Sequence, residues 1–442
     1  MRMNKWEVER KLFNLIALLK ILEMNKVEKV DSPEHIRAVQ KRRLQKIVSA
    51  AYREDFYKSR FDDAGIDPES ISSAEDLLLL PPLRKEEYRD FVARKVETNP
   101  DKYRSCWKDH TSGSTGMPLT VYFTPEEYAY KMAKLLLTFS RNGHQLFLGK
   151  TFTVASPTHG EGGARTALSR FGILQKESVS QLADPSDMVS AFNQFMPDLF
   201  YANKSQIVQM MNYAEETGIP LYKPRLVSTG SETWDSASYR QMSLHFGRDA
   251  LVARYGCIEL GEMAYTKKGN PNIYYPFWST DLINVVDEDK WAISETGCVY
   301  VTSLYQSEFP IINYRVGDQA DAVYGPEGLK YLTAVRGRAD DWLIFADGTK
   351  LPFHFIYEAM SANASCKQFK AIQESYSELT VQVVPNVVGD QFDEEYERNV
   401  IVSSINNLLP EKKKMIIKVD WCERIPVEPN GKIRMLVSKV AK

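Results

Sequence analysis

Between about residues 119 and 335, short apolar runs alternate with helical patterns, and this alternation narrows the fold class more than any other feature. Thr151-Phe152-Thr153-Val154-Ala155 precedes a helical pattern over 183–195. Leu199-Phe200-Tyr201-Ala202 precedes a second over 205–217, and Arg225-Leu226-Val227-Ser228-Thr229 follows. Strands separated by helices pair side by side in parallel, with the helices covering the sheet. The fold class predicted is α/β, with layered and largely parallel sheets. Runs at 297–304 and 311–316 read as strands of a more β-rich segment. After residue 340 the pattern changes again. Asp347-Gly348 is a strong tight-turn signal and makes a hairpin of 343–346 and 350–353. A helix, strands near 369–374 and 378–384, a helix near 391–408 and a strand near 415–421 follow. That is a compact α+β domain. The predicted organisation is a large domain over 1–340 and a small domain over 341–442, with an additional helix inside residues 1–35.

That N-terminal helix places Leu12, Leu15, Ile16, Leu19 and Leu22 at helical spacing, with Lys11 and Lys20 among them. The apolar face is expected to pack on the protein's own body rather than on a membrane or a partner. A second helical stretch covers about 34–58, and Pro81-Pro82 marks a loop. With 442 residues and a formal net charge of −2, nothing in the composition suggests nucleic acid as a partner. Cys106, Cys257, Cys298, Cys366 and Cys422 are scattered and form no CxxC pair, which suits a reducing cytosol. The opening residues do not read as a signal peptide, and no apolar run approaches bilayer length. A cytoplasmic protein without membrane insertion is expected.

The segment most suggestive of chemistry is Thr111-Ser112-Gly113-Ser114-Thr115-Gly116-Met117-Pro118, directly before the strand-like run Leu119-Thr120-Val121-Tyr122-Phe123. Hydroxyls and close backbone N–H groups make a site for phosphate oxygens. The segment is not a Walker A loop, because no Gly-Lys-Ser/Thr follows. Taken alone it is equally a Ser/Thr/Gly turn.

Four further segments follow in order. In Arg254-Tyr255-Gly256-Cys257-Ile258-Glu259, Tyr255 offers a face for a purine, Gly256 allows close backbone approach and Glu259 could hold magnesium. In Asn313-Tyr314-Arg315-Val316-Gly317-Asp318, Asp318 could accept ribose hydroxyls. In Arg336-Gly337-Arg338-Ala339-Asp340-Asp341, Arg338 presents a fork for ribose or phosphate. In Glu428-Pro429-Asn430-Gly431-Lys432, a turn exposes Lys432 to a reacting centre. Singly, each residue has an ordinary structural explanation; the joint order is what carries weight.

This order and spelling resemble the adenylate-forming superfamily of acyl-CoA synthetases, adenylation domains and luciferase, and within it the phenylacetate–CoA ligase-like branch. The branch resemblance includes Ala51-Tyr52-Arg53-Glu54-Asp55-Phe56-Tyr57 and Gly230-Ser231-Glu232, and it extends over roughly residues 36 to 440. It implies a large N-terminal domain and a small mobile C-terminal one. It implies that Thr111, Ser112, Gly113, Ser114, Thr115 and Gly116 hold the β- and γ-phosphates of ATP. Gly230, Ser231 and Glu232 would line the adenine pocket with Tyr255. Glu259 would bind magnesium, Asp318 and Arg338 the ribose, and Asp340 would be the hinge. Lys432 would bridge the acyl carboxylate and the α-phosphate. His159, Gly160 and Gly162 lie where the branch has a glycine-rich acyl-pocket segment.

The activity implied is ATP-dependent conversion of a small, aryl or similar carboxylic acid to an acyl-adenylate, followed by transfer to coenzyme A. A carrier protein, an amine or a sugar is the alternative acceptor, and a non-catalytic nucleotide-binding scaffold is the reading from another class. A homodimer is compatible with the resemblance. Two departures stand out. Met117 and Leu119 occupy places where many relatives carry lysine, and no cysteine lies between Cys257 and Cys298, so no structural zinc is expected.

Overall fold

The structure is a computed structural model that describes residues 5–110, 119–155, 172–232, 234, 236–338, 342–363, 365–385, 392–409, 413, 415–426 and 435–440. It divides into two compact units, 1–143 with 254–335, and 144–253 with 336–442.

The first unit opens with α1 (Lys5–Lys11) and α2 (Phe13–Val27), followed by α3 (Pro33–Ala51), α4 (Asp55–Asp63) and α5 (Lys85–Thr98). The single helix expected over 34–58 is therefore two. The Ser32 side chain caps α3, with Pro33 at its first position, and the helix stops at Tyr52. Strands β1 (Trp107–His110) and β2 (Thr120–Phe123) pair antiparallel, with His110 opposite Thr120. The helix α6 (Pro125–Arg141) starts in a capping box in which Thr124 and Glu127 satisfy each other's backbone N–H.

The second unit continues the chain. Strands β3 (Thr151–Ala155) and β4 (Lys176–Ser180) are followed by α7 (Pro185–Phe195), β5 (Leu199–Asn203), α8 (Lys204–Thr217), β6 (Leu226–Gly230) and α9 (Ser236–Phe246). Asp184 caps α7, and Gly218 ends α8 in the left-handed conformation. All these strand pairings are parallel, β4 with β3, β3 with β5 and β5 with β6, as the alternation predicted. Phe152, Phe192, Phe200 and Val227 form the core between sheet and helices. The next strand, β7 (Leu251–Cys257), runs parallel to β6 over its first residues.

Beyond Ala253 the sheet of the first unit is antiparallel. The last residues of β7 pair with β8 (Gly261–Lys267), which pairs with β9 (Asn270–Pro276). Strands β10 (Asp281–Asp287), β11 (Ala292–Ile293), β12 (Thr296–Ser303), β13 (Tyr314–Gly325) and β14 (Gly328–Arg338) complete it. This is the β-rich segment anticipated from 297–304, although β13 begins at Tyr314 rather than near 311.

The region after 340 belongs to the second unit and has its own core. Strands β15 (Trp342–Ile344) and β16 (Lys350–Pro352) form the hairpin that Asp347-Gly348 signalled. Next come α10 (Phe353–Ala362), β17 (Cys366–Ser375), β18 (Glu378–Pro385), α11 (Glu394–Asn406), β19 (Ile416–Trp421) and β20 (Leu436–Ser438). Leu343, Ile356, Phe369, Val381, Ile405 and Val419 pack together between the sheet and the two helices.

The N-terminal helix pair departs from expectation. It does pack on the body, but through Phe13, Ala17, Ile21 and Met24 against α6. Leu12, Leu15, Leu19 and Leu22 are each about half exposed. The polar contacts explain which face won. Lys20 donates to Glu126 at 2.7 Å, and Glu23 accepts from Tyr130 and Arg43, both at 2.7 Å. Arg141 pairs with Glu28 at 2.8 Å. These four partners sit on one side of the helix and pull that side inward.

Candidate active site

In the first unit the site is built around the turn between β7 and β8. Glu259 sits on this turn and is 4% exposed. Each carbonyl of the turn is held by a side chain. Lys131 Nζ donates to the Ile258 carbonyl at 2.7 Å, Gln306 Nε2 to that of Glu259 at 3.0 Å, and Lys134 Nζ to that of Leu260 at 2.8 Å. The Tyr305 hydroxyl also donates to the Leu260 carbonyl, at 2.9 Å. Three consecutive carbonyls fixed in this way leave the backbone of Glu259 little freedom.

The carboxylate itself accepts from the Tyr314 hydroxyl at 3.0 Å on Oε1, and Lys85 Nζ lies 3.9 Å from the same oxygen. Burial together with the Glu259 charge pushes the Tyr314 phenol far above its ordinary value, so it remains a donor at all working pH. Lys85 opens α5 and stays one-third exposed. Sequence reasoning missed it, because a lysine at a helix start reads as solvated.

Two features make the turn possible. A side chain at Gly256 would run into the backbone of Gly261, which agrees with the close approach expected of this glycine. Gly261 has φ +69°, and a Cβ there would stand 2.7 Å from Lys131 Cγ. Lys131 therefore crosses the space that a side chain would fill. Its ammonium also pairs with Asp109 at 2.6 Å. Asp109 lies on β1, two residues before the hydroxyl-rich segment, and His110 Nδ1 meets Thr120 Oγ1 at 3.0 Å across that segment's base. One lysine thus ties the stem of the candidate phosphate loop to the Glu259 turn. Beneath it, Lys134 and Asp281 form an ion pair at 2.8 Å with both side chains fully buried. Burial pushes Asp281 up and Lys134 down, and each charge opposes the other's shift.

Tyr255 and Asp318, assigned separate roles from sequence, are brought together: the tyrosine hydroxyl donates to Asp318 Oδ2 at 3.1 Å. Tyr255 is 6% exposed. Gly317, just before Asp318, has φ +87° and turns the strand there.

In the second unit, Gly230 is the last residue of β6, the C-terminal end of a parallel strand, where open α/β sheets bind ligands. Ser231 has φ +65°, a left-handed conformation uncommon for a side-chain-bearing residue. Glu232 accepts from the Ser205 N–H at 2.8 Å, placing its carboxylate on the N-terminus of α8. Trp234 Nε1 donates to Thr229 Oγ1 beside it. Arg338 is the final residue of β14.

Thr111, Ser112, Gly113, Ser114, Thr115, Gly116, His159, Gly160, Gly162, Asp340 and Lys432 lie outside the described residues. Among the described residues no group of three or more His, Cys, Asp or Glu side chains gathers as a metal site. Glu259 supplies one carboxylate on this turn. That fits magnesium, which is held by one or two carboxylates while phosphates and water fill its other positions. No helix among the described residues is long and apolar enough to cross a membrane.

A family model described as the CapK C-terminal domain matches residues 343–439. Over 347 residues the chain is 24% identical to a phenylacetate-coenzyme A ligase of Escherichia coli (strain K12), across 71% of this chain and 73% of the relative. It is 23% identical to one of Aromatoleum evansii, across 73% of this chain and 74% of the relative. Among solved structures, a 2-hydroxyisobutyryl-CoA ligase in the postadenylation state with 2-HIB-AMP superposes with a TM-score of 0.72. It shares 15% identity and covers 92% of this chain and 89% of its own. An anthranilate CoA ligase in complex with anthranoyl-AMP gives a TM-score of 0.54 at 16% identity, over 75% of this chain and 65% of its own. The chain is thus similar in sequence to phenylacetate-coenzyme A ligases and similar in fold to solved CoA ligases.

Proposed function

We propose that this chain uses ATP to activate a carboxylic acid as an acyl-adenylate, releases pyrophosphate, and passes the acyl group to the thiol of coenzyme A. The observation that carries this reading is the pinned Glu259 turn, joined by Lys131 to the stem of the hydroxyl-rich segment. A carboxylate tied to the strand that leads into the hydroxyl-rich segment suits a reaction that depends on positioning more than on covalent help.

In the first step a substrate carboxylate oxygen bonds to the α-phosphorus, and the bond to the β-phosphate oxygen breaks with its electron pair leaving on pyrophosphate. In the second, the thiol sulfur attacks the acyl carbon and AMP leaves. Magnesium, when bound at Glu259, would neutralise phosphate charge. Thr111, Ser112, Gly113, Ser114, Thr115 and Gly116 would hold the β- and γ-phosphates. Gly230, Ser231 and Glu232 would line the adenine pocket with Tyr255, whose hydroxyl steadies Asp318 for the ribose alongside Arg338. Lys432, on a small domain spanning 341–442, would bridge the reacting carboxylate and the α-phosphate and withdraw by rotation about Asp340. The acid proposed is a small aryl acid or one of similar size, with His159, Gly160 and Gly162 at its pocket.

ATP–pyrophosphate exchange over a panel of aryl, amino and short aliphatic acids tests the first step, and thioester formation with free coenzyme A tests the second. Exchange followed by thioester is expected. Absence of exchange with every acid, together with no ATP binding by calorimetry, would sink the proposal. Exchange without thioester would move the acceptor to a carrier protein, an amine or a sugar.

A further inference from the structure

The second unit holds a cleft of about 410 Å³ at one edge of its parallel sheet. That volume lies in the range of small-molecule sites. Its walls come from the later halves of α8 and α9, the turn 219–221 that follows α8, and the first residues of β17. Helices that cover a parallel sheet run against its strands, so α8 and α9 end at the edge where β6 begins. Gly230, proposed for the adenine pocket, ends β6 at the opposite edge. The cleft is therefore a different place from the nucleotide site.

Met211, Ala214, Ile219 and Leu221 give the cleft an apolar wall, and Arg240, Lys367 and Glu215 supply its charges. Lys367 pairs with Glu215 at 3.2 Å. Two cations and one anion among the described lining residues make an excess of one positive charge. The His245 imidazole adds none at neutral pH, because burial, and next the charge of Lys223, hold it below its ordinary value.

Gln241, Leu244 and His245 share one face of α9, three and four residues apart. Gln241 Nε2 donates to Asn212 Oδ1 at 2.8 Å, which orients the amide and leaves Oε1 buried without a partner. His245 Nε2 is likewise buried without one. A buried polar atom left unmet is costly, so two of them on the helix face that lines a cleft point to a ligand that meets them. A hydroxyl suits both. It donates to Oε1, and it donates to or accepts from Nε2 according to the tautomer. Leu244 lines the same cleft and is 82% exposed, so its side chain shifts at little cost to admit a ligand to the two atoms.

We propose that this cleft binds a small hydroxylated carboxylic acid as its monoanion. The carboxylate lies toward Arg240 and Lys367, the carbon body against Met211, Ala214 and Leu221, and the hydroxyl against Gln241 and His245. A phosphate ester, close to a dianion at neutral pH, brings more charge than the lining offsets. A ligand there holds β17 against α8 and α9. The inference is independent of the catalytic reading, because binding is measured without ATP.

Calorimetry of the full chain tests it with 3-hydroxybutyrate, 3-hydroxybenzoate and 4-hydroxybenzoate, each compared with butyrate or benzoate. At least one hydroxy acid should bind about tenfold or more tightly than its parent acid. Gln241→Leu and, separately, His245→Leu should remove that preference. Arg240→Met should weaken hydroxy acid and parent alike by about tenfold. Circular dichroism should show all three variants folded. No binding by any of the three hydroxy acids would overturn the proposal, as would equal binding of hydroxy acid and parent. Binding that survives every substitution would belong to another site and would overturn it too. Inorganic phosphate bound as tightly as the hydroxy acids would assign the cleft to a bare anion instead.

Discussion

Tyr314 donates its hydroxyl to Oε1 of Glu259 across 3.0 Å, and both side chains are buried. The tyrosine therefore fixes the rotamer of the one carboxylate proposed to face magnesium. Tyr314→Phe removes a hydrogen bond to a charged group, worth about 1.5–3 kcal/mol. Roughly a tenfold or larger rise in the magnesium needed for half-maximal pyrophosphate exchange is expected. A magnesium titration at saturating ATP checks it. An unchanged magnesium requirement would show that the phenol only fills the core.

Lys131 joins Asp109 to the Ile258 carbonyl and passes over Gly261. Lys131→Met should destabilise the protein by about 3 kcal/mol, because Asp109 loses its charge partner in a largely buried setting. It should also raise KM for ATP more than it lowers kcat. Gly261→Ala adds a Cβ at positive φ against Lys131 Cγ and should cost about 1–3 kcal/mol. Denaturant unfolding of both variants, paired with exchange kinetics, tests the linkage. Destabilisation with unaltered KM would confine Lys131 to a structural role.

Lys85 stands 3.9 Å from Glu259, while Met117 stands where the resemblance implies a lysine. Lys85 is expected to supply the missing cation. Lys85→Ala should raise KM for ATP by about tenfold, the effect of losing roughly 1.4 kcal/mol of binding. Met117→Lys in that background should restore part of it. Steady-state kinetics of the two variants decides, and full activity of Lys85→Ala would leave the lysine without this role.

Glu288 gives a pH prediction. Burial alone would raise its pKa, but hydrogen bonds from Arg315 and Tyr300 outweigh burial and hold it down at about 2, below the ordinary 4.5. A carboxyl depressed on folding adds stability above its unfolded pKa and loses it as pH falls through the folded one. Its contribution should therefore fade between about pH 4.5 and pH 2. Arg315→Met should move the acid-unfolding midpoint upward and flatten the dependence in that window. Acid titration followed by circular dichroism would show it.

The parts of the site legible in sequence were those whose residue type is itself unusual. Gly256, Glu259 and Asp318 stand in short motifs with a physical reason for each, and the structure places Glu259 and Asp318 beside tyrosine hydroxyls. Asp347-Gly348 announced its hairpin because few residues tolerate that turn. Lys131, Lys134 and Lys85 were silent, because a lysine on a helix is ordinarily solvated. Only the tertiary contact with Asp109, Asp281 or Glu259 distinguishes these three. The N-terminal helix shows the opposite failure. Its apolar spacing was visible, but apolar residues on both sides left the buried face to be chosen by Lys20, Glu23 and Glu28, whose partners on α3 and α6 are distant in sequence.

The proposed activity turns on attack by a carboxylate oxygen on the α-phosphorus of ATP. The most direct test is a single turnover with an acid labelled with oxygen-18 in both carboxyl positions, chosen from those that support exchange, in the presence of coenzyme A. AMP carrying one labelled oxygen and unlabelled pyrophosphate is expected, read by mass spectrometry. Unlabelled AMP, or ADP with labelled inorganic phosphate, would contradict it.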